Sequence, residues 1–91
     1  AVQIENLSLK EIPARLATYL LYLAEEQGRA DQVTLSISKG QLASLLGTIP
    51  ETLSRIFAKL TSQQLIQVEG RKIALLDPEV LKDLAQSGKR L

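Results

Sequence analysis

The sequence predicts a mainly α domain with a small β component, and three observations carry that expectation. Leu53, Ile56, Phe57 and Leu60 recur at i, i+3, i+4 and i+7, the spacing of one buried helical stripe. Strict apolar–polar alternation appears at Val33-Thr34-Leu35-Ser36-Ile37 and again around Gly70-Arg71, the spacing of half-buried strands. Helix-starting residues stand in front of the helical patterns: Ser38 with Gln41, Thr48 with Glu51, and Asp77 before Pro78.

Taken in order, the first helix is expected to start near Ser8, where Ser8-Leu9-Lys10-Glu11 fits a capping box and Pro13 falls in the first turn. The alternative is a longer helix entering from residue 1, with Pro13 inside it. Ile12, Leu16, Tyr19, Leu20 and Leu23 mark its apolar face, and Gly28 is placed to end it in a left-handed conformation. The strand at 33–37 runs into a short helix capped by Ser38, with Leu42, Leu45 and Leu46 apolar and Ala43 small enough for a close helix crossing. Gly47 stops that helix. Thr48 is the expected cap of the next one, about residues 50–63, with Pro50 in its first turn. Ile66 to Glu69 and Lys72 to Leu76 form a hairpin about Gly70-Arg71, glycine first as a type II′ turn prefers. Asp77 and Pro78 open a last helix that packs through Val80, Leu81 and Leu84.

A short helix, a glycine turn and a longer helix make a helix-turn-helix, and a basic hairpin directly after it makes a wing. The expected fold is therefore a winged helix-turn-helix: a three-helix core, a β-hairpin wing and a C-terminal helix. Residues 8–86 form that domain, residues 1–7 carry little pattern of their own, and 87–91 form a tail.

Composition narrows the function classes. The chain has 91 residues, 45% of them hydrophobic, which is enough for one modest core. There is no cysteine and no histidine, so disulfides, thiolate or imidazole metal sites and a histidine general base are excluded within these residues. Carboxylates such as Glu25 and Glu26 form no acid–base constellation, and no enzyme is expected. The longest apolar stretch, Leu16 to Ala24, is far short of a membrane span. A formal net charge of +1 says little, but its distribution says more. Between Ser38 and Lys72 five basic residues stand against two acidic ones, whereas residues 1–37 carry three basic and five acidic.

The helix after Gly47 presents Glu51, Thr52, Ser54, Arg55 and Lys59 away from its buried stripe. At the N-terminal end of a recognition helix, Arg offers a fork to guanine, Glu accepts from the cytosine amino group, and Ser does either. Glu51 and Arg55 at i and i+4 could equally be a surface salt bridge. For the phosphate backbone the candidates are Ser38 and Lys39 at one helix N-terminus, Thr52 at the next, and Gly70, Arg71 and Lys72 at the wing. Tyr19 and Tyr22 are read as core. No aromatic platform for RNA is present.

These residues resemble the C-terminal DNA-binding domain of the Crp/Fnr family of bacterial transcription regulators. The likeness rests on Ser-Lys-Gly-Gln-Leu-Ala-Ser-Leu-Leu-Gly, Pro-Glu-Thr-Leu-Ser-Arg and the Leu-Ile-Gln-Val-Glu-Gly-Arg-Lys wing, and covers residues 8 to 86. It implies that Glu51, Ser54 and Arg55 read bases and that Ser38, Lys39 and Thr52 hold phosphates. The Glu-x-x-Ser-Arg pattern is similar to the branch of the fumarate and nitrate reduction regulator, which implies a TTGAT-like half-site in an inverted repeat. Pro50 departs from the catabolite-activator branch, which has Arg there. The resemblance further implies that residues 1–7 are the end of a linker or dimerisation segment, and it implies a cytoplasmic homodimer whose sensor domain and effector lie outside this piece, no cofactor within it, and double-stranded DNA as partner. RNA polymerase is a further candidate partner, and the isolated domain is expected to be monomeric. The second reading is a winged-helix protein-interaction module without specific DNA readout.

Overall fold

The computed structural model describes the backbone of residues 2–87 and the side chains of residues 12–86. Seven elements follow one another: α1 (Val2–Glu26), β1 (Gln32–Thr34), α2 (Lys39–Leu46), α3 (Pro50–Ser62), β2 (Ile66–Glu69), β3 (Lys72–Leu75) and α4 (Pro78–Ser87). This is a winged helix-turn-helix.

The start of α1 corrects the expected boundary. The helix runs from Val2 through Pro13, so Ser8 opens nothing and residues 2–7 are helix. No glycine or proline lies between Val2 and Ile12 to stop it, and the helix continues through Pro13 although a proline there supplies no N–H and crowds the carbonyl four residues before it. The Ser8 and Glu11 side chains, like the 88–91 part of the expected tail, lie outside the described residues, and Ser87 is still in α4. The buried face of α1 is Ile12, Leu16, Leu20 and Leu23, with Tyr19 half-buried.

Three helices end by the same device. The N–H of the residue at the left-handed position bonds two carbonyls back from the cap, and the next N–H reaches the carbonyl before it. At α1 these are Gly28 N to Glu25 O (3.2 Å) and Arg29 N to Ala24 O (2.9 Å). At α2 they are Gly47 N to Ser44 O (3.1 Å) and Thr48 N to Ala43 O (2.8 Å). At α3 they are Gln64 N to Thr61 O (2.9 Å) and Leu65 N to Leu60 O (3.0 Å). Glycine takes the strained position twice, with φ of 69° and 85°, but Gln64 holds φ 61° with a side chain attached. Gln64→Gly is therefore expected to stabilise the domain by about 0.5–1 kcal/mol, read as a higher urea midpoint at unchanged slope. A lowered midpoint would show that the Gln64 side chain contributes more than its backbone strain costs.

The same device displaces Thr48 from its expected role. Its N–H closes α2, so it stands one residue too early to cap α3. The N-cap of α3 is Ile49, in extended conformation and without any side-chain cap bond, and Pro50 occupies the first helical position. Ser38 does cap α2 as expected. Its Oγ accepts from Gln41 N at 3.1 Å, and Gln41 Oε1 accepts from Ser38 N at 3.0 Å. Asp77 caps α4, accepting from Val80 N at 3.2 Å.

The hairpin forms about Gly70, whose φ of 61° supplies the positive angle a II′ turn needs, while Arg71 keeps a negative one. The strand before the helix-turn-helix joins it. β3 lies in the centre of a three-stranded antiparallel sheet, order β1-β3-β2, with Val33 opposite Ile73 and Val68 opposite the same Ile73. β1 is shorter than the alternation at 33–37, yet the alternation persists in burial, with Val33 and Leu35 buried and Thr34 and Ser36 exposed. Gln27 covers the outer edge of β1. Its amide nitrogen donates to Thr34 O (2.8 Å) and its amide oxygen accepts from Thr34 N (2.9 Å), so one side chain stands in for a missing strand.

The apolar faces of α1, α2, α3, α4 and the sheet meet in one core. One apolar residue of α2 and one residue expected in the core are outside it. Leu45 is 61% exposed, because α2 packs through Leu42, Ala43 and Leu46 and turns Leu45 outward. Tyr22 is 54% exposed, one helical step off the Ile12–Leu16–Leu20–Leu23 stripe.

Candidate nucleic-acid interface

In α3 the two stripes expected from the sequence are both present. Leu53, Ile56, Phe57 and Leu60 are buried. Glu51, Ser54, Arg55 and Ala58 are exposed and recur at i, i+3, i+4 and i+7 on the opposite side. The salt-bridge alternative for Glu51 and Arg55 is not realised: the ion pairs among the described residues include Arg29–Asp31 and Lys82–Glu79, and Arg55 and Glu51 are not joined. Both charges face solvent with their hydrogen-bonding capacity unspent. Thr52 is half-buried on the flank, and Lys59 is exposed in the last turn.

The α2 N-terminus is held against α3. Lys39 Nζ lies 5.8 Å from the centroid of the Phe57 ring, a cation–π contact that ties the first residue of α2 to the middle of α3. With Ser38 Oγ satisfying Gln41 N and Ser38 O satisfying Leu42 N, the Lys39 and Gly40 amides are left without an intrahelical partner. Two outward N–H groups, a hydroxyl and an ammonium therefore share one helix start, where the helix dipole also favours an anion.

The C-terminal end of α2 has a support that the sequence pattern does not signal. Arg15, from α1, donates from Nη1 to Leu46 O at 3.0 Å, 31 residues away. Leu46 O is one of the carbonyls that a helix end leaves without a partner, and a cation there also suits the dipole. The sequence carried no signal for this contact beyond an Arg one position before the buried Leu16.

The wing is only partly as expected. Gly70, Arg71 and Lys72 are all exposed at the hairpin tip. However, Arg71 folds back, its Nη1 lying 3.5 Å from Leu35 O, and Arg71 O accepts from Leu35 N at 2.8 Å. Lys72 stands directly opposite Glu69 in the β2–β3 register, which offsets part of the wing charge. The structure thus brings Ser38 and Lys39 to α3, whereas it anchors the wing tip to the end of β1. Among the described residues no cluster of acidic, His or Cys side chains could hold a metal ion, and no helix is long and apolar enough to cross a membrane.

A three-residue glycine turn between two packed helices, an exposed polar stripe on the second and a β-hairpin beside it define a winged helix-turn-helix module. The chain belongs to the Crp-like helix-turn-helix family, whose model matches residues 14–84. It is 40% identical over 74 residues to the probable transcriptional regulator flp of Lacticaseibacillus casei, covering 81% of this chain and 33% of that protein. It is 39% identical over 83 residues to the transcriptional activator protein Anr of Pseudomonas protegens, covering 87% and 34%. Among solved structures, DNR from Pseudomonas aeruginosa superposes with a TM-score of 0.77 at 39% identity, covering 89% of this chain and 36% of that one. The chain spans about a third of the length of the curated relatives it matches.

Proposed function

We propose that this module binds double-stranded DNA sequence-specifically as the output domain of a Crp/Fnr-like transcription regulator, with α3 in the major groove of a TTGAT-like half-site. The observation that carries the reading is the unpaired, exposed stripe Glu51–Ser54–Arg55 on the second helix of the helix-turn-helix. Arg55 would pair with guanine, Glu51 with the cytosine amino group, and Ser54 with a neighbouring base. Ser38, Lys39 and the free amides of α2 would hold one phosphate, Thr52 a second, and Lys72 with the Gly70 backbone a third. Arg71 would first have to leave Leu35 O to join them.

In the whole regulator, two such modules would read an inverted repeat as a homodimer in the bacterial cytoplasm, answer an effector bound elsewhere in the protein, and act on RNA polymerase. The isolated module has no second reader fixed beside it, so it would bind as a monomer and weakly.

The test is a fluorescence-anisotropy titration against an inverted TTGAT duplex and a scrambled duplex of the same composition. Binding should be roughly tenfold or more tighter to the specific duplex. With three phosphates held, log K should fall with log salt at a slope of about −3, and Lys39→Ala should reduce that slope by about 1. Equal affinity for both duplexes, or a slope near zero beside a stable protein complex, would replace this reading with that of a protein-interaction module.

A further inference from the structure

We infer that Ile49 is a specificity residue that reads the C5-methyl of a thymine through apolar contact. The inference rests on the DNA-binding reading above and adds a residue to it. Ile49 is 56% exposed, so it does little for the core. It is the N-cap of α3 but makes no side-chain cap bond, so it does nothing for the helix that Ser, Thr or Asp would not do better. A large apolar side chain with neither duty stands at the end of the recognition helix that enters the groove first.

The chemistry next to it is equally one-sided. Pro50 is exposed and has no N–H. The Ile49 carbonyl is already spent on Leu53 N at 3.0 Å. Across residues 49 and 50 the side chains therefore offer neither a donor nor an acceptor. Every base edge in the major groove presents donors or acceptors, and the thymine methyl is the one apolar group among them. An apolar edge placed there matches thymine and disfavours cytosine, guanine or adenine, whose polar edges would lose water without gaining a partner. The hydrogen-bonding readers Glu51, Ser54 and Arg55 follow within the first two turns of the same helix.

The experiment uses the 91-residue chain and inverted TTGAT duplexes in which each thymine in turn is replaced by deoxyuridine, a change that removes only the methyl group. Wild type should lose about fourfold in affinity at one thymine of each half-site, the worth of one buried methyl. Ile49→Ser, which improves the N-cap and so should fold, is expected to bind the thymine and deoxyuridine duplexes alike. Specific binding with a flat deoxyuridine scan, or an unchanged scan in Ile49→Ser, would overturn the inference and leave the DNA-binding reading standing. Failure of wild type to prefer the TTGAT duplex over a scrambled one would overturn both.

Discussion

Arg55→Ala is expected to weaken binding to the specific duplex by about 1–3 kcal/mol while leaving binding to scrambled DNA almost unchanged. The reason lies in what the side chain does in the free protein. Arg55 is exposed, makes no ion pair with Glu51, and is not part of the buried stripe. Removing it therefore costs the fold little, and any lost affinity belongs to the interface. A guanidinium fork makes two parallel bonds to guanine, which an Ala cannot replace and a Lys cannot reproduce in geometry. Arg55→Lys should accordingly retain charge and salt dependence but lose most of the preference for guanine. Anisotropy titrations on duplexes varied one base pair at a time would read this as relaxed selectivity at a single position. Unchanged selectivity in Arg55→Ala would remove Arg55 from the readers.

Gly47→Val is expected to lower stability by about 2–3 kcal/mol and the melting midpoint by roughly 10–20 °C. At φ 85° the backbone is left-handed, and a β-branched residue there is strained whatever space surrounds it. Space is also short, because a Cβ at this position would lie 3.2 Å from Arg15 Nη1, the atom that bonds Leu46 O. The substitution thus strains the turn and pushes at the contact that fixes the end of α2. DNA affinity should fall along with stability, since the turn sets how α3 is presented. Gly40→Ala is the internal control. Gly40 lies in the first turn of α2 with an ordinary φ, and the nearest neighbour to a new Cβ is Ser38 Oγ at 3.8 Å. That replacement should stabilise by about 0.5–1 kcal/mol, measured by thermal melts followed by circular dichroism. Equal melting points for Gly47→Val and wild type would contradict the assigned turn.

Where the sequence was legible, it was because the signal was local and periodic. The α3 stripe, the Ser38–Gln41 capping box, the Asp77-Pro78 helix start and the Gly70 turn each depend on residues within one turn of one another, and all four are present. Where it misled, two local signals competed. Thr48 had the chemistry of a helix cap, but its backbone belongs to the closing turn of α2, and Ile49 is the N-cap of α3. Ser8 and Glu11 fit a capping box, but the box cannot tell a helix start from a helix interior when nothing upstream breaks the helix. Tyr22 reads as core from its aromatic side chain, but the rotation of α1 leaves it outside.

By itself the sequence determined the class of the fold and the polar stripe of α3, because a 3.6-residue period sorts side chains onto faces without reference to the rest of the chain. Only the tertiary structure decided how that stripe is supported. The third strand of the sheet, the Gln27 cover on its edge, the Arg15 bond to Leu46, the Lys39–Phe57 contact and the folded-back Arg71 all join residues distant along the chain or in separate elements. Such contacts depend on the relative placement of packed elements, which no local pattern encodes. The same placement left Ile49 exposed and without a structural task at the tip of α3.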